Sequence, residues 1–379
     1  MAPSLHKKFT FILPGLFLIA LIAPSLWLIS GLAHSAGWFE EQPGTEHLAM
    51  YYDKLPNRMV QCRLCPNRCM LAPGQFGTCK ARKNIGGDLY SMVYGKIASA
   101  HVDPIEKKPF FHVLPGSKAF SIATTGCNMH CLFCQNWELS QAFPHEVPSI
   151  PMTPAQVVEE AARSGSRSIA FTYNEPVINY EFMLETARIA RSRGIKSIVI
   201  SAGYINPEPL AELLRTVDAY KVDFKAFREE FYQKLTGGHL ADVLETMQLI
   251  HKSGVWLEVL NLLVPGENDS EAEIRELSRW IRENLGPDVP LHFSRHFPQY
   301  KLRNLPPTPI ETVLRARAIA REEGLRYVYT GNVAFPEGEA TLCPGSGQKV
   351  IERIAHAVIS NNLKNGECAD GEKIPGIWN

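Results

Sequence analysis

The stretch that decides the fold of this chain is SIATTGCNMHCLFCQNW, residues 121–137. An apolar run typical of a buried strand leads directly into three cysteines with the spacing Cys127-x3-Cys131-x2-Cys134. Three thiolates this close together can hold three irons of a cubane [4Fe–4S] cluster, which a fourth cysteine normally completes. No fourth cysteine follows nearby, so the sequence predicts a cluster with one iron open to a substrate or cofactor. Structural zinc is the alternative, but such a site needs four ligands.

A second group of cysteines precedes this stretch, with the spacing Cys62-x2-Cys65-x3-Cys69-x9-Cys79. Proline and glycine are frequent between these cysteines, which indicates a loop ordered by a metal rather than by an apolar core. Four thiolates close either a zinc tetrahedron or an iron–sulfur cluster, and the closed ligand count favours zinc or another structural metal. An auxiliary electron-carrying cluster is the alternative.

Two further cysteines lie near the C-terminus, Cys343 in the tetrapeptide CPGS and Cys368 in the tetrapeptide CADG. Each tetrapeptide looks like a C-x2-C knuckle that has kept only its first thiol. Two thiolates make a poor zinc site unless Asp370 or a histidine joins them. We therefore expect a C-terminal tail that no longer binds metal.

Short apolar runs alternate with longer helical stretches between residues 117 and 335. Their Ile, Val, Phe and Tyr content is typical of buried parallel strands. The predicted strands are 119–124, 168–173, 196–201, 218–223, 255–263, 289–294 and 326–330. Capping boxes at residues 153–156, 270–273 and 308–311 predict three helix starts. Six or seven strand–helix units are too few for an eight-stranded barrel, so we expect an α/β fold built on a partial (β/α)6-type TIM barrel.

Polar residues that follow these strands are candidate site residues, because barrels of this kind carry their chemistry at the C-terminal ends of the strands. The second predicted strand is followed by Asn174, Glu175 and Pro176, and a carboxylate here suits an amino group. The third predicted strand ends at Ser201.

The fourth and sixth predicted strands also end in charged residues. Asp223 and Lys225 are two positions apart on an extended segment, so they point to the same side and offer one charge of each sign to a ligand. A surface ion pair between them is the alternative. The sixth strand runs into His292, Arg295 and His296, and Arg295 is suited to a carboxylate of a ligand.

The whole composition limits the function classes. Lys plus Arg number 39 and Asp plus Glu also number 39. A chain with no net charge has no broad electrostatic footprint for nucleic acid, so we expect no direct DNA or RNA partner. The nine cysteines lie in tight groups, which indicates metal ligation rather than a secreted disulfide framework.

The cysteine spacing, with aromatic Phe133 just before the third thiol, resembles the signature of the radical S-adenosylmethionine (SAM) superfamily. The chain is similar to the radical SAM enzymes of the AmmeMemoRadiSam system, within the group related to pyruvate formate-lyase activating enzymes. The resemblance runs from about Met50 to Trp378. It includes the four-cysteine segment and the motifs DPIEKKP (103–109), GCN (126–128), CQNW (134–137), YNEP (173–176), LVPG (263–266), YTGNV (329–333) and IPGIW (374–378).

This resemblance implies the roles of several residues. Asn174, Glu175 and Pro176 take the place of the Gly-Gly-Glu-Pro turn that receives the SAM amino group in activating enzymes, although the Gly-Gly half is absent here. Asp223 and Lys225 match an Asp-x-Lys element near SAM. Phe133 and Ser201 are grouped with these SAM contacts.

The resemblance also implies a mechanism, cofactors and partners. Cys127, Cys131 and Cys134 would bind a [4Fe–4S] cluster that chelates SAM, and a 5′-deoxyadenosyl radical would remove a hydrogen atom from the substrate. An electron donor such as flavodoxin or ferredoxin is expected. The preferred substrate is a partner protein, as for glycyl-radical activases, or a companion protein of the same system. A small-molecule substrate, a membrane-bound iron–sulfur electron carrier and a degenerate exported metal-binding protein are the alternatives.

The N-terminus predicts a membrane anchor. Residues 9–33 carry no charge, and this run is longer than the roughly 20 residues that span a bilayer. Lys7 and Lys8 precede it, so the positive-inside rule puts the N-terminus in the cytoplasm and the rest outside. A cluster that needs SAM and a low-potential donor instead requires a cytoplasmic catalytic domain, which is the expectation we keep. A signal peptide and a true start nearer Met50 are the alternatives.

The predicted organisation therefore has four parts. Residues 1–37 form the hydrophobic anchor or signal segment, and 38–115 form a Cys-rich metal-binding segment. Residues 116–335 form the partial-barrel core. Residues 336–379 form a C-terminal tail with degenerate Cys knuckles.

Overall fold

The computed structural model describes residues 46–379. The predicted transmembrane segment within residues 1–37 lies outside this range. Among the described residues, no helix combines the length and the apolar character that a membrane span requires.

The Cys-rich segment folds into short strands rather than into a helical domain. Its strands are β1 (His47–Leu48), β2 (Tyr52–Lys54), β3 (Val60–Cys62), β4 (Met70–Leu71), β5 (Arg82–Ile85), β6 (Asp88–Ser91) and β7 (Lys96–Ile97). They form two small antiparallel sheets with the orders β1-β6-β5 and β2-β3-β4. Gly86 and Gly87 both have positive φ, as the two-residue turn between β5 and β6 requires. The buried amide of Asn84 ties this hairpin to the other sheet by donating to the carbonyl of Leu71 at 2.8 Å.

The core is one eight-stranded sheet with helices between its strands. Its elements are β8 (Ser99–Pro104), β9 (Lys118–Ala123), α1 (Trp137–Ser140), β10 (Ile150–Pro151), α2 (Pro154–Arg163), β11 (Ser168–Phe171), α3 (Tyr180–Ser192), β12 (Lys196–Ser201), α4 (Pro207–Leu213), β13 (Ala219–Asp223), α5 (Glu229–Phe231), α6 (Leu240–Ser253), β14 (Trp256–Leu263), α7 (Glu271–Leu285), β15 (Leu291–Arg295), α8 (Ile310–Glu322) and β16 (Val328–Gly331). The sheet order is β8-β9-β11-β12-β13-β14-β15-β16, and β10 pairs with β7 outside it.

All seven predicted strands are confirmed, as β9 and β11 to β16. These seven strands are mutually parallel, and β8 joins the edge of the sheet antiparallel to β9. The order is linear and does not close on itself, so the fold is an open α/β sheet with the strand succession of a partial barrel. Every strand therefore delivers its C-terminal end to the same edge.

The three predicted helix starts differ in outcome. At α2 the complete capping box is present between Thr153 and Gln156. At α7 Ser270 accepts from the N–H of Glu273, but the Glu273 carboxylate accepts from the N–H of Phe227 instead. At α8 the helix begins at Ile310, close to the predicted start, but the predicted capping box at Thr308 is absent. Its hydroxyl donates to the carbonyl of Leu263 at 2.6 Å, and the tertiary bond therefore displaces the local cap.

The C-terminal segment is folded, and it brings the remaining cysteines of the two predicted remnant knuckles together. It contains α9 (Pro336–Glu339) and an antiparallel sheet of β17 (Thr341–Leu342), β18 (Lys349–Ile354) and β19 (Ala357–Asn361). Cys343 and Cys368 are joined in a disulfide. Both pack in a small apolar core with Tyr327 and Tyr329, so the chain brings the two thiols together over 25 residues of sequence.

Candidate active site

A cavity of about 770 Å³ lies at the C-terminal edge of the parallel sheet. Each parallel strand contributes lining residues at or just beyond its end. They are Cys127 after β9, Asn174 and Glu175 after β11, Ser201 in β12, Asp223 in β13, Leu262 in β14, Ser294 in β15 and Gly331 in β16. The topology thus brings together the polar residues that the sequence predicted to follow the strands.

The three cysteines of residues 121–137 all line this cavity, and none forms a disulfide. They are Cys127, Cys131 and Cys134. Neighbouring segments hold their loop in place. The N–H of Cys127 donates to the carbonyl of Cys79 at 3.2 Å, and the N–H of Leu132 donates to that of Leu235 at 2.8 Å. Across residues 46–379, no three of these sulfurs lie within 4.8 Å of one another, a wider spacing than one metal ion allows.

The neighbouring charges act on these thiols. Burial raises the pKa of Cys131 to about 12, while the positive charge of Lys225 works in the opposite direction. A thiolate at this position therefore needs a metal to stabilise it. The donor set of three free thiols in a polar-edged cavity suits an iron–sulfur cluster that keeps one iron open.

Glu175 is the buried carboxylate of the site. Its Oε1 accepts from the hydroxyl of Ser201 at 2.7 Å, and its Oε2 accepts from the N–H of Ala202 at 2.8 Å. Burial raises the pKa of Glu175 to about 7, although these hydrogen bonds lower it. Ser201 thus lies in the cavity wall and also orients this carboxylate.

The neighbours of Glu175 in sequence have different positions. Asn174 lines the cavity and donates its amide to the carbonyl of Gly126 at 2.9 Å, which ties the end of β11 to the cysteine loop. Pro176 is buried at the start of a short 3-10 helix, Pro176–Asn179, and is absent from the cavity lining. Its place is behind the site rather than in it.

Asp223 and Lys225 both line the cavity and pair with each other. The Nζ of Lys225 lies 3.0 Å from Oδ2 of Asp223. Burial lowers the pKa of Lys225, but the charge and hydrogen bond of Asp223, together with the neighbouring thiols of Cys131 and Cys134, raise it above its usual value. Both side chains keep further hydrogen-bonding capacity for a ligand.

Phe133 is buried and lines the cavity next to Cys134. Its ring packs against that of Phe231 with 5.7 Å between the centroids. The aromatic residue therefore braces the cysteine loop and presents one face to the cavity.

The three polar residues at the end of β15, His292, Arg295 and His296, lie in different surroundings in the structure. His292 reaches the cavity, but its Nε2 pairs with Oε2 of Glu258 at 2.7 Å. Arg295 donates to the carbonyl of Thr308 at 2.5 Å and is not part of the cavity lining. His296 is buried outside the lining as well. Arg295 thus lies outside the cavity lining, and its Nε–H is already bonded to the loop before α8, which does not support the predicted pairing with a ligand carboxylate.

A second charged group borders the cavity, and no role for it was apparent from the sequence. Lys108 lies 2.5 Å from Oδ2 of Asp103, and the hydroxyl of Tyr173 also donates to this carboxylate. Lys108 and Tyr173 line the cavity. Residues 354–356 of the C-terminal sheet line it too. The DPIEKKP motif was the available signal for Asp103 and Lys108. Nothing in the sequence pointed to residues 354–356.

The model of the radical SAM superfamily matches residues 121–278 of this chain. That range contains the three cysteines, Glu175 and the Asp223–Lys225 pair. The chain belongs to the radical SAM superfamily. An uncharacterized protein of Methanocaldococcus jannaschii is 47% identical over 329 residues, which are 86% of this chain and 98% of that protein.

Two further relatives are more distant. The pyruvate formate-lyase 1-activating enzyme of Escherichia coli is 22% identical over 218 residues, 54% of this chain and 89% of that enzyme. A solved radical SAM methyltransferase of Sphaerobacter thermophilus has a TM-score of 0.46 and 17% identity, covering 58% of this chain and 68% of the other. This protein is thus a radical SAM enzyme with activating enzymes among its homologues. Membership implies a [4Fe–4S] cluster and SAM, and the three thiols described above fit that cluster.

Proposed function

We propose that this enzyme abstracts a hydrogen atom from a partner protein, as a radical SAM activating enzyme. The observation that carries the proposal is the convergence of three free thiols, a buried carboxylate and a charged pair on one cavity. When bound at Cys127, Cys131 and Cys134, the cluster and SAM together supply one-electron cleavage and a 5′-deoxyadenosyl radical.

Glu175 is suited to hold the amino group of SAM. Ser201 and Ala202 fix the direction of its carboxylate by two hydrogen bonds, so little ordering is needed when a ligand binds. In its ionised form this carboxylate accepts a charge-assisted hydrogen bond from an ammonium group. Burial of the site strengthens that bond relative to water.

Asp223 and Lys225 are suited to the other polar groups of SAM. Lys225 offers donors to a carboxylate, and Asp223 offers acceptors to hydroxyl groups. Each side chain already orients the other at 3.0 Å. The aromatic wall at Phe133 helps to exclude water from the reacting atoms.

The borders of the cavity support a protein segment as substrate. Its volume of about 770 Å³ is that of a small-molecule or cofactor site and accounts for SAM rather than for the substrate class. Residues 331–336 and 354–356 also line it, and the sheet remains open between its edge strands β8 and β16. A loop of a partner protein, including a companion protein of the AmmeMemoRadiSam system, can approach through such an opening. A reduced flavodoxin or ferredoxin is the proposed electron donor.

The substrate class is tested by incubating the reduced enzyme with SAM and candidate partner proteins. A glycyl-radical doublet in the EPR spectrum, together with 5′-deoxyadenosine, supports a protein substrate. A small-molecule product without a protein radical contradicts it. The absence of 5′-deoxyadenosine under strong reduction would identify a simple electron carrier instead.

We also propose that residues 9–33 anchor the enzyme to the membrane with its catalytic domain in the cytoplasm. The support is the uncharged length of that segment and the need for SAM and a reductant. Protease treatment of intact cells tests the side. Protection of the catalytic domain is expected, and cleavage from outside would contradict the proposal.

A further inference from the structure

The four cysteines of the N-terminal segment surround a second, internal cavity. Cys62, Cys65, Cys69 and Cys79 all line it, and none is in a disulfide. Gly77 borders two of the thiols, because a Cβ on this residue would lie 3.6 Å from the sulfur of Cys69 and 3.7 Å from that of Cys79. Strand β3, the loop between β3 and β4 and the loop before β5 thus deliver four thiols to one cavity.

The spacing of these thiols decides what they can hold. A zinc tetrahedron with Zn–S bonds of about 2.3 Å places its sulfurs about 3.8 Å apart. In the described part of the chain, no three of the four sulfurs lie within 4.8 Å of one another. The same wide spacing occurs at Cys127, Cys131 and Cys134, where the superfamily holds a cubane. We propose that Cys62, Cys65, Cys69 and Cys79 bind a second [4Fe–4S] cluster, fully ligated by cysteine.

Arg82 supplies an independent sign that sulfur ligands occupy this cavity. Its side chain is 1% exposed and lines the cavity, yet its Nε–H has no hydrogen-bond partner. The other guanidinium nitrogens are satisfied by Glu181 at 2.5 Å and by the carbonyl of Met50 at 2.9 Å. A buried N–H donor without a partner is costly, and cluster sulfurs accept such hydrogen bonds. The donor thus has a partner when the cluster is present.

The two cysteine sites share a backbone contact. The carbonyl of Cys79 accepts the N–H of Cys127 at 3.2 Å, so a ligand of one site is bonded to a ligand of the other. Gly126 permits this approach, because its φ is +91° and a Cβ there would lie 2.3 Å from the Cys79 carbonyl oxygen. Asn128, one residue beyond Cys127, lines the four-cysteine cavity. The two sites therefore lie on either side of residues 126–128.

This contact gives the second cluster a role as an electron relay to the catalytic cluster. The relay rests on the proposed function, whereas the presence of the second cluster does not. Cys69 is partly exposed and Thr78 is exposed, whereas Cys79 is buried and its carbonyl accepts the N–H of Cys127. A low-potential one-electron donor reduces the closed cluster from its 2+ to its 1+ state at the Cys69 side. That electron then passes through Cys79 and Cys127 to reduce the catalytic cluster from 2+ to 1+, which restores the closed cluster to 2+.

The cluster is tested first on the full-length wild-type chain, purified and reconstituted without oxygen. We expect about eight iron and eight sulfide per chain and no stoichiometric zinc. About four iron together with one zinc would overturn the proposal. A double variant, Cys343→Ala with Cys368→Ala, is the matched control, because it removes two cysteines outside both sites and should keep all the iron.

The relay is tested with the double variant Cys62→Ala and Cys65→Ala, which should retain about four irons. We compare SAM cleavage driven by reduced flavodoxin with cleavage driven by dithionite. The ratio of the two rates should fall at least about 10-fold relative to wild type, as loss of a supporting shell does. An unchanged ratio would overturn the relay. If the variant does not fold, the EPR spectrum of the fully reduced wild-type protein is the test. Spin coupling between the two clusters supports the relay, and two uncoupled signals overturn it.

The two proposals fail in different ways. Eight irons without 5′-deoxyadenosine would contradict the proposed function and leave the second cluster standing. Four irons, one zinc and 5′-deoxyadenosine would contradict the second cluster and leave the function standing.

Discussion

The two cysteine sites of this protein differ in their number of thiols and in the residues that surround those thiols. The site at Cys127–Cys134 has three thiols and opens on a cavity edged by polar strand ends. The site at Cys62–Cys79 has four thiols enclosed by Leu64, Leu71 and Ile178, with Arg82 as its charged neighbour. A missing fourth ligand makes a metal centre reactive only where the fold also supplies groups that bind a substrate. The closed site lacks such groups and suits electron transfer.

The largest expected effect comes from breaking the open site. Cys131→Ala should abolish 5′-deoxyadenosine formation and remove about four of about eight irons, because two thiols do not retain a cubane. Iron analysis and a product assay measure both effects. Cys368→Ala is the control and should keep the full iron content. Product formation by the Cys131 variant would mean that another residue completes the site.

A smaller effect is expected from Glu175, the residue proposed to bind the amino group of SAM. Glu175→Gln keeps the shape of the side chain and removes its charge, so SAM should bind about 10- to 100-fold more weakly, since charge-assisted hydrogen bonds are worth about 1.5–3 kcal/mol. Equilibrium binding of SAM to the reconstituted protein measures this. Glu185→Gln is the matched control, because Glu185 lies on α3 and pairs with Tyr94 away from the cavity. Equal weakening in both variants would remove Glu175 from the site.

The charged pairs of the two sites should differ in their contribution to stability. Arg82→Met leaves Glu181 buried without its partner, which should lower the free energy of unfolding by about 3–5 kcal/mol. Lys225→Met leaves Asp223 with 30% exposure, so water compensates and the loss should be about 1 kcal/mol or less.

Urea unfolding of the unloaded protein measures both differences. In the double variant Arg82→Met with Glu181→Leu, most of the lost stability should return, because no charge remains unpaired. Equal losses at the two sites would contradict the contrast between an enclosed and a solvated pair.

A further effect concerns pH and two buried histidines, of which His292 reaches the open cavity. Burial lowers the pKa of His112 to about 4 and that of His292 to about 3, so both are neutral in the fold. The unfolded chain binds protons below about pH 6.5. Stability should therefore fall as the pH drops from about 6.5 to about 4, by about 1.4 kcal/mol per pH unit for each histidine.

The variant His112→Gln tests this dependence. Over that pH range its free energy of unfolding should fall less steeply than that of wild type, by about 1.4 kcal/mol per pH unit, because one titrating group is removed. Chemical unfolding at several pH values measures the slope. A slope equal to that of wild type would mean that His112 is protonated in the fold. Glu258, which accepts from the N–H groups of Phe111 and His112, has its pKa lowered to about 2, so it adds a further loss of stability as the pH falls from about 4.5 to about 2.

The sequence sufficed for features that local pattern determines. Buried parallel strands are continuous apolar runs, so all seven could be placed from composition and period. The strand ends then located Glu175, Ser201, Asp223 and Lys225 at one edge, because parallel strands share their direction.

Features that depend on distant contacts were missed or wrong. Thr308 left its cap position for the carbonyl of Leu263, and Arg295 was taken by Thr308. The disulfide of Cys343 with Cys368 was missed, because it depends on how the C-terminal sheet packs. The arrangement of the four N-terminal sulfurs, on which the choice between zinc and a cluster depends, follows from how β3 packs against the loop before β5.

The central claim is that the chain holds one open and one closed cubane, and Mössbauer spectroscopy of the ⁵⁷Fe-reconstituted protein with and without SAM tests it most directly. We predict that about one iron in eight changes its spectrum when SAM is added, and about one in four in the variant Cys62→Ala with Cys65→Ala. Spectra that do not respond to SAM, or a response that disappears in that variant, would contradict the account.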